Sequence, residues 1–392
     1  MNGRLTRLDV ASWCAFMVFA ASSVVTPICL PEISKTFNTS LSEGGGAETA
    51  KSVLLVAMLM LAGILAHRWG KKPMLVSGQY LTAVGALMAS YSDSYPMLIV
   101  SLMVIGMGGG STEAIINPLV ADLHPKDSGK YLNITNAFFP VGVMVSALLF
   151  GELLTLGYSW RFIFRIVAAV TLAMGLFFSI SRFPPGAQQQ SSSWNLIGNV
   201  VALRGFWLFA AAIFLGAGVE SAFTFWSRSY VETYLDQVPR AGAIAVVIFA
   251  GAMAAGRLLA ARLSQAMSLN ALMMSSAVLG VVVTGWVPLA TSLTGFYSLL
   301  ALAGIATACF WPTILATAAE RLNADVTILM VMLAVVGVAG FGLTPWMMGV
   351  IGDQADLRAG FYIIPAFFVG LILVLAIQWR LNRNELIELG HQ

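Results

Sequence analysis

Twelve apolar runs, each near or above the roughly 20 residues a helix needs to cross a bilayer, constrain this chain more than any other feature. With charges and turn residues as breaks, they fall at 9–31, 47–66, 73–91, 95–122, 130–155 and 161–182, then at 205–231, 240–262, 268–290, 293–318, 325–351 and 358–381. The remaining composition agrees: 58% of the 392 residues are hydrophobic and 10% charged, and the mean hydropathy is +0.84. A soluble domain is nearer half apolar and a quarter charged, and a fold of this length has too little interior to hide the excess. The fold class is therefore all-α integral membrane, with twelve transmembrane helices. This excludes a soluble enzyme, a nucleic-acid-binding module and a secreted disulfide scaffold. The net charge of +3 is scattered and points to no polyanionic partner.

The distribution of Lys and Arg sets the orientation. With the N-terminus in the cytoplasm, that side carries twice as many as the other, and an even span count puts both termini there. The first run follows Arg4 and Arg7 and is too long for a signal peptide, so it reads as retained. The longest polar connection, 183–203, contains Pro184, Pro185, a Gln run and a Ser run, the composition of a flexible linker. It divides the chain into an N-terminal six-helix half (1–182) and a C-terminal six-helix half (204–392). Two such halves suggest an alternating-access transporter with its site between them. Cys14, Cys29 and Cys309 read as small core residues, and the three histidines have no metal-type spacing. No metal site, cofactor or catalytic group is expected. The Gly-rich GMGGGS lies inside a span and reads as helix packing rather than a phosphate cradle.

Three stretches carry chemistry. The loop after the second run reads Gly63-Ile-Leu-Ala-His67-Arg68-Trp69-Gly70-Lys71-Lys72. Its glycines permit close helix approach and a tight turn, and its basic cluster can meet helix C-termini and carboxylates. This is a conformational latch, or alternatively a plain positive loop. The fourth run, GMGGGSTEAIINP at 106–118, holds Glu113 and Asn117 four residues apart and so on one helix face. The fifth begins GKYLNITNAFFPVG at 129–142, with Asn133, Asn136, Phe138 and Phe139.

The loop resembles the GxxxDRxGRR signature of the major facilitator superfamily, with His67 where that family has aspartate. The fourth and fifth runs resemble the fucose–proton symporter family within it. Asn133, Asn136 and Phe138 match its Asn-Leu-Ala-Gln-x-Phe-Asn pattern, while Phe139 replaces the last Asn and removes one polar sugar contact. The resemblance extends to GAGVESAFTFW at 216–226, FWPTIL at 310–315 and TPWMMGVIGD at 344–353. It departs at Ser23–Pro31, which has no acid where that family carries one. The resemblance implies a major facilitator fold, a proton gradient as driving force and a sugar-like substrate.

A carboxylate at the bilayer centre costs at least about 2.5 kcal/mol unless protonated or paired. Glu113 is the expected proton carrier, with a structural acid as the bland reading, and Glu220 is a second proton-coupling candidate. Asn117, Asn133, Asn136, Phe138, Phe139, Trp226 and Trp311 are the expected substrate-binding residues; for any single aromatic, packing is the alternative. No Lys or Arg falls mid-run in the first, fourth, seventh or tenth span, Arg228 lying near the outer end of the seventh. This disfavours anionic substrates. The expected function is proton-coupled uptake of a neutral polar solute, a monosaccharide or derivative, by a multi-pass monomer of the bacterial inner membrane. The alternatives are an exporter of amphipathic or cationic compounds and a membrane receptor that does not transport.

Overall fold

The computed structural model describes residues 5–184 and 194–389. Every regular element among them is helical: α1 (Arg7–Phe37), α2 (Leu41–Trp69), α3 (Lys71–Ser90), α4 (Tyr95–Leu123), α5 (Ser128–Thr155), α6 (Trp160–Ile180), α7 (Trp194–Ala202), α8 (Arg204–Tyr234), α9 (Pro239–Leu263), α10 (Leu269–Gly285), α11 (Leu293–Thr307), α12 (Phe310–Arg321), α13 (Val326–Gln354), α14 (Leu357–Phe361) and α15 (Ile363–Leu389). Eleven stretches among the described residues are long and apolar enough to cross a membrane. The third expected span, α3, is not one of these. It is a 20-residue helix that carries Lys71, Lys72, Gln79 and Thr82, and it buries the last two between α4 and α6.

Local rules account for the boundaries. Thr6 and Asp9 form a reciprocal capping box that starts α1, and Ser40 and Glu43 do the same for α2. Prolines account for the differences from the expected runs. The tenth run, expected as one helix, breaks between α11 and α12, because Pro312 has no N–H to offer the carbonyl of Ala308 four residues back. Pro365 does the same for Phe361, separating α14 from α15. The ninth run ends in a 3₁₀ turn, Val287–Leu289, around Pro288. The Gln- and Ser-rich part of the expected linker lies outside the described residues, and the second half of that linker forms α7.

The backbone divides into two compact units. The first comprises Met1–Ser191 and Phe225–Val247, so the end of α8 and the start of α9 belong to it. Here α4 is central, packed on α2, α3, α5 and α1. The glycines of the fourth run explain the fit. A Cβ at Gly106 or Gly110 would collide with the backbone of α2 at Lys51 or Leu55, and one at Gly108 with Thr82 and the backbone of α3. The second unit comprises Ser192–Thr224 and Ile248–Gln392. In it α10 packs on α15 and α11, and α13 on α12, α14 and α7. Both units leave large apolar side chains exposed, among them Leu172, Leu176 and Ile180 on α6 and Val278 and Val282 on α10, as a lipid-facing surface requires.

In each unit a mid-helix proline is offset by a side chain from another helix. Pro27 leaves the Ser23 carbonyl of α1 without its helical donor. Lys51 Nζ of α2 donates to that carbonyl at 3.1 Å and pairs with Glu48 at 2.7 Å. In the second unit Pro345 leaves the Phe341 carbonyl open, and Ser221 Oγ of α8 donates to it.

Candidate functional site

The first unit carries six of the expected site residues on α4 and α5. Glu113 and Asn117 are one turn apart on α4. Asn136 of α5 donates its amide nitrogen to Asn117 Oδ1 at 3.0 Å and to the Leu132 carbonyl at 2.8 Å. Both side chains are thereby fixed, leaving the carbonyl oxygen of Asn136 and the amide nitrogen of Asn117 for other partners. Glu113 is half-buried, accepts no hydrogen bond and joins no ion pair among the described residues. Asn133, one turn before Asn136, is exposed.

Aromatic rings from α1 close this stretch on one side. Trp13 stacks on Phe138 with centroids 5.0 Å apart and planes 6° from parallel. Its indole N–H donates to Thr135 Oγ1 at 3.2 Å. Phe19 meets Phe139 at 5.5 Å and lies against α4 at Gly109, one turn before Glu113. The result is a strip along α4: an aromatic pair, then an unpartnered carboxylate, then an amide pair. Such a strip can hold a proton, hydrogen-bond a hydroxyl and stack against an apolar ring face. Trp13, Phe19 and Thr135 were not anticipated. An aromatic in the run WCAFMVF carries no mark that separates a site wall from packing.

The other expected residues lie elsewhere. Glu220 of α8 belongs to the second unit, where Arg257 of α9 approaches to 4.0 Å. The long side chain of Arg257 is what brings its charge to this acid. Trp311 belongs to the same unit, half-buried against Gly337 of α13. Trp226 is fully buried in the first unit, edge-on to Phe225 at 5.0 Å.

The loop motif divides. Gly70 has φ +88°, the left-handed turn that joins α2 to α3 and that glycine accommodates. Lys71 Nζ contacts Asp122 at 2.5 Å and the Pro118 carbonyl at 3.0 Å, and Lys72 Nζ donates to the Ser181 carbonyl at 2.8 Å. The start of α3 is thus tied to the ends of α4 and α6. Arg68 is exposed. A Cβ at Gly63 would meet open space, so this glycine serves no close approach. The His67 side chain lies outside the described residues. Nearby, Asp9 of α1 contacts His124 at the end of α4 at 2.7 Å, and His124 stacks on Tyr131 of α5 at 3.5 Å.

A family model of the Major Facilitator Superfamily matches residues 11–300. The chain belongs to the Major Facilitator Superfamily. Among relatives of this facilitator, the L-fucose-proton symporter of Escherichia coli (strain K12) is 23% identical, over 92% of this chain and 90% of the symporter. Multidrug resistance protein MdtL of Klebsiella pneumoniae (strain 342) is 24% identical over 52% of this chain and 53% of that protein. In three dimensions the facilitator superposes on a bacterial homolog of the human lysosomal transporter Spinster with a TM-score of 0.82, at 16% identity and covering 96% of both chains. The resemblance to the symporter family read from the fourth and fifth runs is thus met again in the whole-chain match, and the fold is that of a superfamily of transporters.

Proposed function

We propose that this facilitator is a proton-coupled importer of a neutral polar solute, a monosaccharide or derivative. It works by alternating access in a bacterial inner membrane, with α3 as the twelfth span and both termini in the cytoplasm. The two halves are 1–182 and 204–392, joined by 183–203, and the monomer is the working unit. Glu113 carries the proton, Asn117, Asn133 and Asn136 take substrate hydroxyls, and Phe138 and Phe139 stack on the ring. Trp226 and Trp311 are contributed by α8 and α12. Glu220, with Arg257 at 4.0 Å, is the secondary proton site. Gly63, His67, Arg68, Gly70, Lys71 and Lys72 form the latch.

The observation that carries this reading is the isolation of Glu113. A half-buried acid inside an apolar helix, with no donor and no cation among the described residues, is stable when it holds a proton. It can therefore take one up and release it as its surroundings change. Liposomes loaded with a pH dye test this against a panel of monosaccharides. Substrate-dependent proton flux in the wild type is lost in Glu113→Gln. Flux that persists in the variant moves the proton elsewhere, Glu220 first.

A second reading has its own observation. Four aromatic rings beside one uncompensated acid also suit an amphipathic cation, and MdtL is among the relatives. A silent sugar panel with flux driven by hydrophobic cations selects export of such compounds.

A further inference from the structure

The ends of α1 and α8 meet at a buried arginine. Arg228 of α8 is fully enclosed, and its guanidinium is shared by two acids. Nε binds Glu232, one turn on along the same helix, at 2.5 Å, and Nη2 binds Glu32 of α1 at 2.5 Å. The acids differ in access, with side chains 24% exposed for Glu32 and 13% for Glu232. Gly242 of α9 lies against the arginine stem where any Cβ would collide, so α9 packs closely over the base of this side chain. Lys35, exposed one turn beyond Glu32, offsets the second negative charge. Nη1 of Arg228 and Oε2 of Glu32 are buried with no hydrogen-bond partner among the described residues. The contact between the helices is therefore a single bond, not the two-pronged pairing an arginine and a carboxylate can make.

An arginine held by one acid could not part from it cheaply, because separation would strand a buried charge. Here the second acid travels on the arginine's own helix. We propose that Arg228, Glu32 and Glu232 form an exchange lock. Glu32 is the closing contact between α1 and α8, and Glu232 is the resident partner that keeps Arg228 paired while that contact is broken. The assignment of this end to the outside rests on the topology given above. The lock itself is independent of the substrate and of proton coupling.

Cys29 provides the reporter. It is fully buried one turn before Glu32 on α1, so opening of this end exposes its thiol. In full-length protein carrying Cys14→Ser and Cys309→Ser, the alkylation rate of Cys29 is measured with a membrane-impermeant maleimide, in detergent and on intact cells, without substrate. Glu32→Gln removes the closing contact, and alkylation rises by about tenfold, the effect of one charge-assisted hydrogen bond. Glu232→Gln removes the resident partner, holds Arg228 more firmly on Glu32, and lowers the rate below wild type. A purely electrostatic effect on the thiol would raise both rates, since each variant removes a negative charge near it. Equal-sign changes, or none, overturn the lock. Should Glu32→Gln not fold, Glu32→Asp withdraws the carboxylate by one methylene and accelerates labelling to a smaller degree; an unchanged rate there is equally fatal. Acceleration in detergent but not on intact cells keeps the lock and overturns the topology.

Discussion

Asn136 divides its amide nitrogen between the Leu132 carbonyl and Asn117, and that division fixes both amides where α5 meets α4. Trp13 does similar work on the aromatic side, because its indole is fixed at once by a stack and by the hydroxyl of Thr135. Trp13→Ala therefore removes a wall and frees Phe138 to rotate. The stacking lost is about 0.5–1.5 kcal/mol, which corresponds to an apparent affinity about 2–10-fold weaker, read from substrate concentration dependence in liposomes. Trp13→Phe keeps the stack, loses the hydrogen bond and falls between. An unchanged affinity in Trp13→Ala would show the ring to be packing only. At this scale the acid was legible and its surroundings were not. A glutamate inside an apolar run is costly enough to stand out from composition alone. An aromatic is at home in such a run whatever it does, and the partner of Glu220 was obscured because a guanidinium acts some distance from its own backbone.

Among the helices, the positions of the breaks follow from prolines, but the manner of tolerating a proline does not. Pro312 and Pro365 interrupt their helices, whereas Pro27 and Pro345 lie inside continuous ones. At the last two, a donor from another helix takes the place of the missing N–H, Lys51 for the Ser23 carbonyl and Ser221 for the Phe341 carbonyl; Pro31, Pro118 and Pro140 also lie inside continuous helices. No local pattern reports this, since Lys51 is 28 residues from Ser23 and Ser221 is 120 from Phe341. Lys51 also neutralises Glu48, so Lys51→Met should cost about 3–5 kcal/mol by leaving a buried acid unpaired. Adding Glu48→Gln to Lys51→Met should recover most of this. The remaining loss is the orphaned carbonyl, about 1–3 kcal/mol. Thermal unfolding of the purified variants measures both, and a double variant no better than the single one would mean that the pair itself contributes nothing. In the expected linker, Pro, Gln and Ser at the start mark a flexible composition, but the apolar WNLIGNVVA that follows forms α7 with Val200 buried.

For the molecule as a whole, the number of charges moved per cycle fixes how far a gradient can be built. One proton moved with each neutral solute gains about 2.3 kcal/mol per 100 mV. That sustains accumulation of about 50-fold, since each 1.36 kcal/mol is a factor of ten. Liposomes held at 100 mV, inside negative, should approach that ratio with wild-type protein and come only to equal concentrations with Glu113→Gln. Accumulation in the variant would require a second coupling site.

The glycines of α4 bear on how such a charge could be felt. On the side of α2 and α3 the backbones are in contact at Gly106, Gly108 and Gly110, and nothing there can give. Toward α1 and α5 the joints are made of side chains, Phe19 at Gly109 and Asn136 at Asn117, which can change rotamer. A helix clamped along one flank and cushioned along the other behaves as a cantilever. A disturbance at Glu113 has one compliant direction, and it runs to α1 and α5.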